Sequence, residues 1–262
     1  MTRRAGPQQR KPQDEGLWAR LRQLTAARIG LPRTGASLAT SALLDFQLAH
    51  ARARDAVWEE LDEAKLKSDL AELGLAALSV GSAAKDRQHY LMRPDLGRRL
   101  APEAINVLSP RATNLDVVFV ISGGLSARAV QTHAAPLLTR VLRDLREDGF
   151  RIAPLIIVRH GRVAVGDAIA NVLRASCAVV LIGERPGLSA PDSMGAYLTW
   201  QPTPDTSDAE RNCVSNIRPN GLGYAAAAAT LVRLLNAMRR LRLSGVQLKD
   251  EDEMAAIGGA SD

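Results

Sequence analysis

The sequence predicts an α/β fold, because short apolar runs rich in β-branched residues alternate with longer segments of helical periodicity. The apolar runs cover residues 116–121 (DVVFVI), 154–158 (PLIIV) and 178–182 (AVVLI). They are continuous rather than alternating, as in strands that are buried on both faces of a sheet. Helical patterns fill residues 126–146 and 165–176 between them. This order implies right-handed crossovers and a parallel sheet flanked by helices, which is a Rossmann-like layout.

A helical region is predicted to precede this sheet. Trp18, Leu21 and Leu24 recur at three-residue spacing, and residues 30–32 (GLP) interrupt the pattern. Residues 37–73 then carry apolar side chains on related turns, and many of the remaining positions hold charged residues three or four apart. This part of the chain therefore reads as helical and supporting.

These patterns divide the chain into four segments. Residues 1–15 contain almost no apolar side chains and are predicted to form a flexible tail. Residues 16–110 form the helical N-terminal region, and residues 111–250 form the Rossmann-like domain, which ends in an Ala- and Leu-rich helix over 225–243. Residues 251–262 are predicted to be a flexible acidic tail.

Composition excludes several classes of protein. The chain has 262 residues, a formal net charge of +6 and only 3% aromatic residues, so it lacks the rings on which single-stranded nucleic acids stack. Its two cysteines, Cys177 and Cys213, cannot form a disulfide-rich scaffold, and no CxxC pair is present to hold zinc. No apolar run approaches the roughly 20 residues that span a bilayer. We expect a cytoplasmic protein that binds neither nucleic acid nor membrane.

Each predicted strand of the sheet is followed by a polar loop that contains glycine. These loops are residues 122–124 (SGG), 159–162 (RHGR) and 183–187 (GERPG). Because the carboxyl ends of parallel strands meet at one edge of a sheet, we expect the loops to meet there and to form a ligand crevice. The helix predicted to begin at Ser126 would point free N–H groups toward it.

Familiar catalytic motifs are not met at this edge. The first loop does not match the GxGxxG fingerprint of dinucleotide-binding proteins, and residues 221–226 (GLGYAA) resemble it without a preceding strand. A serine nucleophile elbow fails because Arg128 stands where the last glycine of GxSxG is required. The four histidines lie far apart, and among them His160 is of interest because it falls in a strand-end loop.

The third loop continues into a long polar stretch that reaches residue 224 and includes Cys213. Loops of this length inside a compact domain are usually functional or face a partner. No residue next to Cys213 in the sequence marks it as a catalytic thiolate. The simpler interpretation is that Cys213 packs as a small apolar side chain.

Six sequence blocks closely resemble the small subunit (light chain) of ethanolamine ammonia-lyase. They are in order and cover most of the chain from about residue 17 to residue 250. The blocks are RPDLGRRL (93–100), FVISGGLSARAVQ (119–131), HGRVAVGDAI (160–169), LIGERPGLSAPDSMGAYLTW (181–200), RNCVSNIRPNGL (211–222) and LSGVQLKD (243–250).

The resemblance implies a lyase that depends on adenosylcobalamin and converts ethanolamine to acetaldehyde and ammonia by radical chemistry. In that family a large TIM-barrel subunit holds the substrate, and the small subunit closes over the cobalamin within a higher hetero-oligomer. Residues 111–250 would then be the cobalamin-binding domain, and this chain would supply no catalytic residue of its own. Some family members are thought to enter a protein-shelled bacterial microcompartment, which stays an alternative to the open cytoplasm.

The family's cobalamin contacts match Val163, Glu184 and Cys213. The resemblance implies that Val163 packs on the corrin, that Glu184 accepts hydrogen bonds from its amides, and that Cys213 packs as a compact apolar group. None of the histidines lies in the Asp-x-His-x-x-Gly motif of enzymes that replace the nucleotide base. We therefore expect the cofactor to retain its own base as lower ligand, with no metal ligand from this chain.

Two alternatives stay open at this point. The chain could be a non-catalytic interaction module whose fold binds and scaffolds a partner. It could also be a free-standing nucleotide enzyme, which the missing glycine fingerprint makes a poor fit.

Overall fold

Residues 12–111 and 113–248 are described by a computed structural model in which the chain forms two compact units. Of the described residues, 12–55 and 187–191 belong to the first unit, and all the others belong to the second. The predicted acidic tail lies outside the described residues. Of the predicted N-terminal tail, only residues 12–15 are described, and they begin a helix.

The first unit is built from short elements. It contains α1 (Pro12–Gln23), a small antiparallel hairpin of β1 (Arg33–Thr34) and β2 (Ser37–Leu38), and most of α2 (Thr40–Trp58). Several large apolar side chains of this unit are exposed, and those on α2 are Leu43, Leu44, Phe46 and Leu48.

The second unit carries the sheet. In chain order its elements are α3 (Glu63–Ala71), β3 (Ala77–Gly81), α4 (Arg87–Met92), α5 (Pro94–Gly97), α6 (Pro102–Leu108), β4 (Leu115–Ser122), α7 (Ala127–Glu147), β5 (Leu155–Arg159), α8 (Val165–Leu173), β6 (Ala175–Gly183), β7 (Met194–Trp200), β8 (Arg211–Ile217) and α9 (Tyr224–Leu241).

The six strands of this unit form one sheet in the order β3-β5-β4-β6-β7-β8. The first four are parallel, whereas β7 is antiparallel to β6 and β8 is antiparallel to β7. The α/β class is therefore confirmed, but the sheet is mixed and not parallel throughout as predicted. Antiparallel neighbours can be joined without a helical crossover, so the chain passes from β6 to β7 and from β7 to β8 without an intervening α-helix.

The central strands lie where their apolar runs predict them, and helices α7, α8 and α9 match the predicted helical segments to within a few residues. Two parts of the prediction were wrong. Residues 16–110 are not helical throughout, because β3 joins the sheet beside β5. The long polar stretch after residue 183 is not a single loop, because it contains β7 and β8.

Apolar side chains pack on both faces of the sheet. One face is covered by α3, α7 and α9, which bury residues such as Phe119, Leu138 and Leu231. The other face is covered by α6 and α8, which bury residues such as Val120 and Ile169. The strands β4, β5 and β6 lie at the centre and are buried on both sides, which explains their continuous apolar sequences.

Candidate functional site

The carboxyl ends of β4, β5 and β6 meet at one edge of the sheet, as the sequence predicts. The loop after β4 crosses tightly over the end of β6, where Leu125 N–H donates to the carbonyl of Gly183 over 3.0 Å. A Cβ atom on Gly183 would lie 2.0 Å from the carbonyl oxygen of Ser126. Only glycine permits this approach, so the glycines of two loops serve to bring strand ends together.

A cavity lies at this edge between β4 and β5. These two strands are adjacent, but the chain leaves β4 for α7 on one face and leaves β5 for α8 on the other, which is the switch point at which α/β sheets bind ligands. The cavity is open to solvent and is lined in part by residues 123–124 and 159–160.

Polar side chains of the cavity wall are engaged with the protein itself. The buried guanidinium of Arg87 donates to the carbonyl of Gly124 over 2.6 Å and to that of Val57 over 2.7 Å. Glu63 pairs with Arg159 at 3.6 Å. Burial lowers the pKa of His160, so this imidazole is neutral near pH 7. The edge of the sheet at which the sequence predicts a crevice therefore does contain a cavity.

Val163, Glu184 and Cys213 lie outside the lining of this cavity. We expected Val163 and Glu184 in the loops that converge at the crevice and Cys213 in the long polar loop beyond them, and the structure instead places Cys213 within strand β8. The surface that relates these three residues is the outer part of the sheet, where β7 and β8 extend beyond helix α8.

Glu184 directly follows β6 and is half-buried. Its carboxylate lies between the start of β7 and the end of β8. The hydroxyl of Ser193 donates to Oε2. The main-chain N–H of Asn216 lies 3.3 Å from Oε2 and 3.4 Å from Oε1. A carboxylate offers about four acceptor positions, so Glu184 retains capacity to accept further hydrogen bonds.

Cys213 stands beside Tyr197 across the β7–β8 pair. Their hydroxyl and thiol groups face each other, and partial desolvation raises the pKa of Tyr197 to about 12 and also raises that of Cys213. Gly195, two residues earlier on β7, lets the side chains of Glu184 and Tyr197 approach the strand closely: a Cβ there would lie 2.9 Å from Glu184 Oε1 and 3.3 Å from Tyr197 Cε2. Glu184, Tyr197 and Cys213 therefore form one continuous patch over Gly195.

Val163 lies at the start of α8 and packs against the apolar cluster that also contacts Tyr197. The first turn of α8 is joined to β8 by an ion pair between Asp167 and Arg211, with N–O distances of 2.6 and 2.7 Å. Arg211 precedes Cys213 by two residues and shares its face of β8. This ion pair fixes the start of α8, and with it Val163, relative to the patch.

The fit of this surface to a corrin depends on the side chains that α8 leaves uncovered. Helix α8 packs over β4 and β6, and beyond it Cys213 and Ser215 are exposed and Tyr197 is half-buried. The surface thus combines a ring and a compact thiol with a carboxylate that can accept hydrogen bonds. These groups suit a large, flat ligand that carries peripheral amides.

Sequence reasoning missed Tyr197, Gly195, Ser193 and Asn216, because strand pairing alone brings them to Glu184. A signal was present in RNCVSNI (211–217), where apolar and polar side chains alternate in part, as expected for a strand with one open face. The bulge near Gly195 in the β7–β8 pair blurs that alternation.

The chain matches the family profile of the ethanolamine ammonia-lyase light chain (EutC) over residues 15–249. The chain belongs to this family. The family predicted from the six sequence blocks is therefore confirmed, as is the prediction of an ammonia-lyase subunit.

Similar proteins include the ethanolamine ammonia-lyase small subunit of Azotobacter vinelandii, which is 51% identical over 255 residues, or 96% of this chain and 94% of the relative. Small subunits from Pseudomonas fluorescens and Pseudomonas aeruginosa are 50% and 49% identical over 244 and 249 residues. Those matches cover 92% and 94% of this chain and 88% and 91% of the relatives.

The arrangement of the described side chains and helices also bears on metal binding and membrane insertion. Within residues 12–111 and 113–248, no group of three or more His, Cys, Asp or Glu side chains is placed to hold a metal ion. No helix in the described part of the chain is both long and apolar enough to cross a bilayer.

Proposed function

We propose that this chain is the small subunit of an adenosylcobalamin-dependent ethanolamine ammonia-lyase, and that Val163, Glu184 and Cys213 contact the cobalamin. The cofactor, when bound, supplies the radical that removes hydrogen from ethanolamine on the way to acetaldehyde and ammonia. The observation that carries the proposal is the open surface of β7 and β8, where the Glu184 carboxylate is held beside Tyr197 and Cys213.

The chain's own residues would bind and orient the cofactor and exclude water from one side of it. Glu184 would accept hydrogen bonds from the amide N–H groups of the corrin periphery. Tyr197 and Cys213 would pack against the ring system, and Val163 would close the contact from the start of α8. None of these groups needs to transfer a proton or form a covalent bond.

The lower ligand in this proposal is the cofactor's own nucleotide base. His133 is buried and bonded to Tyr224, and His160 lies in the wall of the switch-point cavity. His50 and His89 lie on helices α2 and α4, and none of the four occurs in an Asp-x-His-x-x-Gly motif.

The partner in this proposal is a large TIM-barrel subunit that contains the substrate pocket, in a higher hetero-oligomer. A small subunit by name implies a larger one, and the exposed apolar side chains of α2 are typical of a surface that a partner covers. The same side chains also favour the scaffolding alternative, in which the chain binds the partner without contacting the cofactor.

The first experiment is reconstitution. The purified chain, the matching large subunit, adenosylcobalamin and ethanolamine are mixed, each component is omitted in turn, and acetaldehyde is assayed. We expect activity only in the complete mixture. Full activity without this chain, or no activity from a complex that forms, would overturn the proposal.

A second experiment separates cofactor binding from scaffolding. The variant Glu184→Gln should still assemble with the large subunit but bind cobalamin roughly 10- to 100-fold more weakly, the value of a hydrogen bond to a charged group. Glu103→Gln, on the exposed face of α6, is the matched control and should bind normally. Unchanged affinity in Glu184→Gln, with assembly intact, would favour the scaffolding role.

A further inference from the structure

A closed ring of polar contacts surrounds the Glu184 carboxylate, and it extends beyond the three residues proposed to contact the cofactor. We infer that Ser193, Asn216 and Arg218 position this carboxylate as a pure hydrogen-bond acceptor, and so make the site select corrins with intact peripheral amides against corrins in which an amide is hydrolysed to a carboxylate. The inference rests on the proposed function and adds positioning residues and a specificity to it.

The inner part of the ring consists of two donors. The hydroxyl of Ser193, a buried residue, donates to Glu184 Oε2, and the main-chain N–H of Asn216 faces both oxygens at 3.3 and 3.4 Å. Both neighbours present hydrogens, so the oxygens of Glu184 act as acceptors toward them. The oxygen lone pairs that they leave can accept an amide N–H, whereas an incoming carboxylate would offer no hydrogen and a like charge.

The outer part of the ring is Arg218. Its Nε donates to the side-chain oxygen of Asn216 over 2.9 Å, and its Nη1 lies 4.0 Å from Asp192 Oδ1. Asp192 immediately precedes Ser193 in the chain. Because its guanidinium reaches both sides, Arg218 couples the position of one donor to that of the other. Its side chain is only 14% exposed, whereas that of Asp192 is 34% exposed.

The backbone of Asn216 is set for this role. Asn216 has a φ of +57°, in the left-handed region that asparagine tolerates better than most residues. Gly221 packs directly against it, since a Cβ on Gly221 would lie 2.4 Å from the carbonyl oxygen of Asn216. The turn after β8 thus clamps the residue whose N–H faces Glu184.

The other side of the ring lies against the protein interior. His133 on α7, whose side chain is 1% exposed, places Nε2 3.6 Å from Asp192 Oδ2, which is too long for a hydrogen bond, and its Nδ1 lies 2.7 Å from the hydroxyl of Tyr224. The segment that bears Ser193 therefore packs beside α7 and α9. The two donors of Glu184 come from separate parts of the fold.

The test measures how tightly different cobalamins bind to the assembled complex of this chain with the large subunit. Cobalamin with all its amides intact is compared with each monocarboxylate derivative, in which a single amide has been hydrolysed. Affinities are measured by equilibrium dialysis with visible absorbance, and the quantity of interest is the ratio of the two. A residue with a merely structural role would weaken both ligands alike and leave the ratio unchanged.

We expect the wild-type complex to prefer intact cobalamin over at least one monocarboxylate, and Ser193→Ala to reduce that ratio by about tenfold, the value of one hydrogen bond to a charged group. Ser193→Thr, which keeps the hydroxyl, should restore the ratio. Ser109→Ala, which removes a hydroxyl bonded to the carbonyl of Ile105 far from this site, should leave it unchanged. Arg218→Gln provides a second variant should Ser193→Ala fail to fold, and we expect a similar loss of selectivity.

Three outcomes would overturn the inference. If Ser193→Ala and Arg218→Gln bind both ligands with an unchanged ratio while Glu184→Gln alters it, the positioning role is wrong but the proposed cofactor contact stands. If Glu184→Gln also leaves both affinities unchanged, the cofactor contact fails as well. A wild-type complex that does not distinguish the ligands would refute the selectivity directly.

Discussion

The ion pair between Asp167 and Arg211 allows a quantitative prediction, because it is buried and joins two elements of the candidate site. Two hydrogen bonds of 2.6 and 2.7 Å link the carboxylate to the guanidinium, and their side chains are 7% and 3% exposed. Burial disfavours a charged guanidinium, yet the carboxylate of Asp167 holds the pKa of Arg211 above its usual value. Burial raises the pKa of Asp167, and its hydrogen bonds to Arg211 oppose that rise. The two short, parallel hydrogen bonds are the geometry of a carboxylate–guanidinium ion pair.

The perturbation is Asp167→Asn, which keeps the shape of the side chain and removes its charge. Arg211 would retain Thr199 Oγ1 at 3.0 Å, the carbonyl of Thr206 at 3.2 Å and the exposed carboxylate of Asp208 at 3.7 Å, but no carboxylate in hydrogen-bonded contact. Removal of one partner of a buried pair costs about 3–5 kcal/mol, and the remaining acceptors place this variant near 3 kcal/mol. For a domain of this size that loss lowers Tm by roughly 6–12 °C.

The assay is thermal unfolding followed by circular dichroism and by the fluorescence of the tryptophans, at fixed pH and protein concentration. The control is Asp95→Asn, which removes an exposed ion pair with Arg93 and should leave Tm unchanged. The double variant Asp167→Leu/Arg211→Met should lose less stability than the single variant, since no buried charge remains unpaired. An Asp167→Asn midpoint equal to that of the control would refute the reasoning.

Three further predictions concern pH, packing and thiol reactivity. Burial lowers the pKa of His133 below the ordinary 6.5, so the unfolded chain takes up the proton first and the free energy of unfolding falls as pH drops below about 6.5. His133→Gln should flatten part of that fall in urea midpoints measured from pH 8 to pH 5, and an unchanged profile would contradict it. Gly183→Ala should cost roughly 2–3 kcal/mol because its Cβ would strike main-chain atoms, whereas Gly81→Ala makes ordinary contacts and should unfold near the wild-type urea midpoint. In the native protein, alkylation should modify the exposed Cys213 and not the buried second cysteine. The pKa of the Cys213 thiol is raised, so the alkylation rate should keep rising with pH, and bound cobalamin should slow the reaction. Equal reaction at both thiols would contradict this prediction.

The central part of the fold could be predicted from sequence because its signals are local. Strands β4, β5 and β6 are buried on both faces, so each appears as a continuous apolar run, and α7 and α8 fill the intervals. The prediction failed at β8, whose face around Cys213 is exposed and whose sequence is correspondingly polar. It also failed at β3, a strand of five residues within a stretch dominated by helices.

The candidate site was predictable in part. The convergence of the strand-end loops followed from topology alone, and the structure places a cavity there. The identities of Val163, Glu184 and Cys213 came from the resemblance to a family and not from periodicity. Their cofactor contacts stay predictions, to be tested by the binding experiments above.

The sequence by itself determined the apolar runs, the glycine-containing loops and the family, because each is a property of neighbouring residues or of whole blocks. Only the tertiary structure decided that Ser193, Tyr197 and Asn216 surround Glu184, and that β7 and β8 extend past α8 to leave an open surface. The physical reason is that strand register is set by hydrogen bonds between distant segments, and a shift of one residue would turn every side chain to the opposite face.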